Sequence, residues 1–102
     1  MTAVATLHVL IVEDEPIFAA TVRRYLEWKG HSVAVARDAG EALRQHRAHP
    51  ADVALIDLAL PGTDGLAVLR QLREDSKAPE CLIVTGRGTF DAAVEATRLG
   101  AA

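Results

Sequence analysis

The sequence predicts an α/β domain built on a parallel sheet, and three observations carry that expectation. Four short runs rich in β-branched residues recur along the chain, each followed by a longer segment with helical spacing. Three of the runs are apolar almost throughout, as strands covered by helices on both faces must be. The segments between them are long enough for the right-handed helical crossovers that parallel neighbours require.

The first run is His8–Val12 (HVLIV). Pro16 suits the first turn of a helix, and Phe18, Val22, Tyr25 and Leu26 then form one apolar stripe before Gly30 stops it. The run Ser32–Ala36 (SVAVA) alternates more than the others and reads as an edge strand. Asp38 is the expected N-cap of a short helix carrying Ala39, Ala42 and Leu43 inward, with Arg44, His46 and Arg47 as a solvated face. Residues 53–56 (VALI) form the third strand, and Asp64 caps a third helix with Leu66, Leu69 and Leu72 inward and Arg70 and Arg73 outward. Residues 81–84 (CLIV) form the fourth strand; Thr89 or Asp91 then starts a helix with Phe90, Val94 and Thr97 on one side and Gly100 as its stop. No linker, tandem repeat or low-complexity tract interrupts the series.

The chain has 102 residues, the size of one domain. Aromatic residues make up only 4%, so Val, Leu, Ile and Ala must build the core. A net charge of −3 argues against a wide contact with nucleic acid or an anionic membrane, both of which call for a basic surface. The lone cysteine, Cys81, excludes an internal disulfide; it opens a core strand and reads as a small apolar filler. The first residues have no basic stretch, and the apolar run at His8–Val12 is far too short to span a membrane, so a cytoplasmic location is expected. The four histidines show no metal-ligand spacing and are expected at the surface or at strand entries. Trp28 is expected to pack partly on the end of the first helix.

In open parallel sheets, sites form beyond the carboxyl ends of the strands. The residues found there are Glu13 and Asp14 after the first strand, Asp57 after the third, and Thr85 and Gly86 after the fourth. Each alone has a bland reading, as a helix cap or a turn residue. Together they bring three acids and a hydroxyl to one edge from positions far apart in sequence. Two ionised carboxylates about 4 Å apart repel by roughly 4 kcal/mol at an effective dielectric near 20. One of them must stay protonated unless a cation sits between them. A hard divalent ion, Mg²⁺ above all, suits an all-oxygen donor set. Asp14 and Asp57 are the inner-sphere candidates and Glu13 an outer-sphere one. A carboxylate beside such an ion can attack phosphorus, and Thr85 is placed to donate to a phosphoryl oxygen.

The stretches VLIVEDEP, VALIDLALPGTDGL and LIVTGRGTFDAAVEATRLGA, in this order and spacing, resemble the CheY-like receiver domain of two-component response regulators. The likeness covers essentially the whole chain, 1–102, and its last segment is similar to receivers of NtrC-like transcriptional activators. It implies a flavodoxin-like, doubly wound sheet. It also implies Mg²⁺ held by Asp14, Asp57 and the backbone carbonyl of Ala59, with Glu13 in support. Asp57 would be the phospho-acceptor, loaded by a sensor histidine kinase, and Thr85 the switch hydroxyl. Pro61, Gly62 and Gly65 match the loop after the acceptor. The domain itself would be a regulatory module, not an enzyme beyond its own phosphorylation and dephosphorylation, with a transcriptional output elsewhere in the intact protein.

Receivers continue past the LGA at 99–101 into a fifth strand, a Lys-Pro pair and a fifth helix, whereas this sequence ends at Ala102. The expectation is therefore a C-terminally incomplete receiver with strand order 2-1-3-4. The lysine that contacts the phosphoryl group has no counterpart: Lys29 and Lys77 precede strands and lie at the opposite edge, while Arg87 is at the right edge but is a poor replica of an ammonium. Self-association is expected through the exposed edge from Cys81 to Val84 and the helix from Thr89 to Leu99. The sequence leaves two other readings. An Asp-nucleophile, Mg²⁺-dependent phosphatase of the haloacid-dehalogenase type needs a second acid two residues after the nucleophile, where this chain has Ala59. A degenerate receiver that only binds partners would not need the intact acids, although the missing lysine keeps that reading open for this sequence.

Overall fold

The structure is a computed structural model and describes residues 6–58 and 65–84. Its elements are β1 (His8–Val12), α1 (Pro16–Trp28), β2 (Ser32–Ala36), α2 (Ala39–Ala48), β3 (Val53–Asp57), α3 (Gly65–Arg73) and β4 (Glu80–Val84). The four strands form one wholly parallel sheet in the order β2-β1-β3-β4, as expected. β3 runs one residue beyond the expected boundary and β4 starts one residue earlier, because Asp57 pairs with Val84 and Glu80 with Val53.

Strand alternation divides the core in two. Leu10 and Val12 of β1, with Ala54 and Ile56 of β3 and Cys81 of β4, face α2 and α3, where Ala42, Val68, Leu69 and Leu72 meet them. Ile11 and Leu55 point to the other face, toward Phe18 and Val22 of α1. The second layer is thinner. Ala19 is the buried residue of α1, while Phe18 is 43% and Tyr25 57% exposed. The expected inward stripe of α1 is therefore only partly realised: Val22 and Leu26 turn inward, Phe18 meets the sheet while staying part-exposed, and Tyr25 lies outside. Trp28 is 77% exposed, contrary to expectation, with the Lys29 ammonium 4.9 Å from its ring centroid.

The local signals act through identifiable bonds. Pro16 opens α1, and the Glu15 carboxylate caps it by accepting from the N–H groups of Ile17 (3.3 Å) and Phe18 (2.7 Å). Gly30, at φ 98°, ends it in the left-handed region that a side chain resists. Asp38 caps α2 through the Glu41 N–H at 2.8 Å, as expected. The Gln45 amide donates to the Val35 carbonyl at 2.9 Å, so α2 ties itself to the edge strand.

His46 departs from the expected solvated face. It is 1% exposed, and its ring joins α2 to Ala51 before β3 and to Lys77 before β4. Its spacing of four residues from Ala42 places it on the buried face of the helix. Cys81 is fully buried, and burial pushes its thiol up to about 11, which fits an inert filler. The expected fourth helix and its residues Phe90, Val94 and Thr97 lie outside the described residues.

Candidate metal centre at the carboxyl edge

The register of β1 on β3 pairs Val12 with Ile56, so the residues that follow these strands leave the sheet side by side. Those residues are Glu13 and Asp14 after β1 and Asp57 at the end of β3. The Glu13 N–H continues the ladder by donating to the Ala36 carbonyl at 2.9 Å, which fixes Glu13 against the sheet before the chain turns into α1. Glu13 and Asp57 are each 5% exposed, and Asp14 is partly exposed. One carboxylate oxygen from each of the three lies within 4.8 Å of the others.

This crowding has an electrostatic consequence. The Glu13 carboxyl is pushed up to about 7, first by burial, then by a side-chain hydrogen bond with Asp57 and by the charges of Asp57 and Asp14. The Glu15 N–H, which donates to Glu13 Oε1 at 3.1 Å, works in the opposite direction. Near neutral pH the pocket thus retains a proton where three ionised acids would repel one another. A divalent cation would relieve the same repulsion, and three hard oxygen donors on an open edge suit Mg²⁺ or Ca²⁺. The residues present fit such an ion.

Two features shape the surroundings. Gly65 opens α3 directly against the acceptor strand: a β-carbon there would stand 2.5 Å from the Asp57 carbonyl oxygen and 2.6 Å from the Leu58 α-carbon. Only glycine lets the helix start so close to Asp57. On the other side, a cleft of about 330 Å³ adjoins Glu13 and Asp14 and is bounded by Arg23, Arg37 and Glu41. Arg37 follows β2 at the same edge, and its position after a strand is the sequence signal that marks it. Of the remaining expected site residues, Ala59, Thr85 and Arg87, with Pro61 and Gly62, lie outside the described residues. Lys29 follows α1 and Lys77 precedes β4, at the edge opposite the carboxylates.

Comparison with known proteins places the chain in a family. The family profile described as response regulator receiver domain matches residues 9–102. The chain is 39% identical over 95 residues to the two-component response regulator PhoP of Pseudomonas aeruginosa, an alignment covering 93% of this chain and 42% of that protein. It thus spans about two fifths of the length of that curated relative. Among solved structures, a CheY-like receiver domain protein of Methanospirillum hungatei superposes with a TM-score of 0.87 at 27% identity, covering 95% of this chain and 78% of that one. A response regulator of Burkholderia pseudomallei, solved with a phosphorylated aspartic acid, a calcium ion and citrate, superposes with a TM-score of 0.86 at 31% identity over 92% of this chain and 55% of that one.

Proposed function

This chain belongs to the response regulator receiver domain family, and from that premise we propose that Asp57 accepts a phosphoryl group from a phosphohistidine of a sensor histidine kinase. The observation that carries the reading is the convergence of Glu13, Asp14 and Asp57 within 4.8 Å at the carboxyl edge of the sheet. In the transfer, an Asp57 carboxylate oxygen forms a bond to phosphorus as the bond from phosphorus to the donor imidazole nitrogen breaks, and the imidazole leaves. A bound Mg²⁺ supplies positive charge that offsets the charge on the phosphoryl oxygens.

The chain's own residues do the rest. Asp14 and Asp57, with the Ala59 carbonyl, hold the ion, and Glu13 supports it from the outer sphere. Gly65 and the start of α3 fix the backbone of Asp57, so its carboxylate does not have to be ordered at the moment of transfer. Thr85 donates its hydroxyl to the phosphoryl group once formed. The family is regulatory, and the output of the intact protein, transcriptional in this reading, is set by the phosphorylated state. The kinase, the cytoplasmic setting and self-association through the outer edge of β4 belong to the same proposal. Among the described residues, no helix is long and apolar enough to cross a membrane.

Incubation with Mg²⁺ and acetyl phosphate tests the reading. Intact mass spectrometry should show one added phosphoryl group, peptide mapping should place it on Asp57, and Asp57→Asn should abolish it. Addition elsewhere, or continuous hydrolysis of phosphate esters, would overturn it and favour a phosphatase.

A further inference from the structure

At the end of the sheet opposite the carboxylates, the four histidines of the chain gather around the entries to the strands. His46, on the last turn of α2, occupies the most constrained position. The Ala51 N–H donates to its Nδ1 at 3.0 Å. A backbone N–H can only donate, so Nδ1 must carry a lone pair and the ring must be neutral, with its proton on Nε2. That proton goes to the Lys77 carbonyl at 3.0 Å. One imidazole thereby joins the connection from α2 to β3 and the connection from α3 to β4. With 1% of the residue exposed, water has no room to replace either bond.

We propose that His46 is a proton-released latch: protonation of its ring opens the α2–β3 connection at Ala51 while the sheet itself stays closed. A protonated ring has two donors and no acceptor, so the Ala51 N–H then faces another N–H. The surrounding charges supply a second state. Asp75 Oδ1, after α3, lies 3.9 Å from Nε2 and offers the charged ring a partner. His8 of β1 and His49 after α2 stack at 3.8 Å between centroids, with Asp52 beside His8, and a positive charge on either histidine opposes one on His46. The remaining charged neighbours, Arg47 on the next position of α2 and the Lys77 side chain, are exposed. His8 is held below its ordinary range by burial and by the charges of His49 and His46, with Asp52 acting in the opposite direction.

The test is amide hydrogen exchange by NMR on the whole chain, corrected for intrinsic rates, with ¹⁵N shifts of the imidazoles recorded alongside. The Ala51 amide should lose protection, by up to about tenfold per pH unit, as the pH falls toward about 5. The Ile56 amide, within β3, should keep its protection over that range. His46→Gln, whose side-chain carbonyl can accept the same N–H without titrating, should make Ala51 protection independent of pH; if that variant does not fold, the titration of the native chain decides alone. Constant protection at Ala51 down to about pH 5.5, equal losses at Ala51 and Ile56, or a protonated Nδ1 on His46 near pH 7.5 would each overturn the latch.

Discussion

Replacing Glu13 by glutamine should make the protein more stable, and increasingly so as the pH rises. The Glu13 carboxyl holds its proton to about pH 7 in the folded chain, against 4.5 for an unperturbed glutamate. The folded state therefore binds that proton more tightly than the unfolded one. Its stabilising effect is fully present below about pH 4.5 and declines as the pH climbs through about 7. The gap between the two values corresponds to roughly 3 kcal/mol, of which roughly 2 to 3 kcal/mol falls between about pH 5 and pH 8. Glutamine preserves the shape and a hydrogen-bonding group but has no ionisation to suppress. Urea unfolding of both proteins across this range, without divalent ions, gives the difference directly. Titrations common to both chains, such as the opposite-signed one expected from the lowered His8, cancel in that difference. A difference that stays flat from about pH 5 to pH 8 would refute the claim that burial and Asp57 hold the Glu13 proton.

Three further substitutions probe the frame around the site. Gly65→Ala forces a β-carbon against the Asp57 and Leu58 backbone, so it should cost about 1 to 3 kcal/mol in urea unfolding and slow phosphoryl uptake from acetyl phosphate. Leu69→Ala removes a fully buried side chain between α3 and the sheet and should cost about 2 to 5 kcal/mol by the same assay. Trp28→Ala, by contrast, should change thermal stability by less than about 1 kcal/mol, since the ring is 77% exposed and its contact with Lys29 lies at the surface.

The sheet was legible because its signal is local and redundant. HVLIV, SVAVA, VALI and CLIV are each too short for a helix and rich in β-branched residues, and their helical connections leave a parallel arrangement as the simple solution. The meeting of Glu13, Asp14 and Asp57 followed from the same topology, since residues after adjacent parallel strands share an edge. Legibility failed where residue type and position pointed in different directions. Tyr25 and Trp28 are large and apolar enough to suggest burial, yet the face of the sheet beneath α1 is covered by Ile11 and Leu55 with Phe18 and Val22 and leaves them outside. His46 is polar enough to suggest solvent, yet its spacing from Ala42 turns it inward and two backbone groups satisfy its ring. Asp14 has a bland reading as the cap of α1, yet Glu15 takes that role while Asp14 joins the acidic group.

The most direct test of the central claim is a crystal of the chain soaked in Mn²⁺, which stands in for Mg²⁺ and scatters anomalously. The account predicts one strong peak at the carboxyl edge, in contact with carboxylate oxygens of Asp14 and Asp57 and absent in Asp14→Asn. A peak elsewhere, or an edge that binds no ion while its three acids still converge, would contradict it.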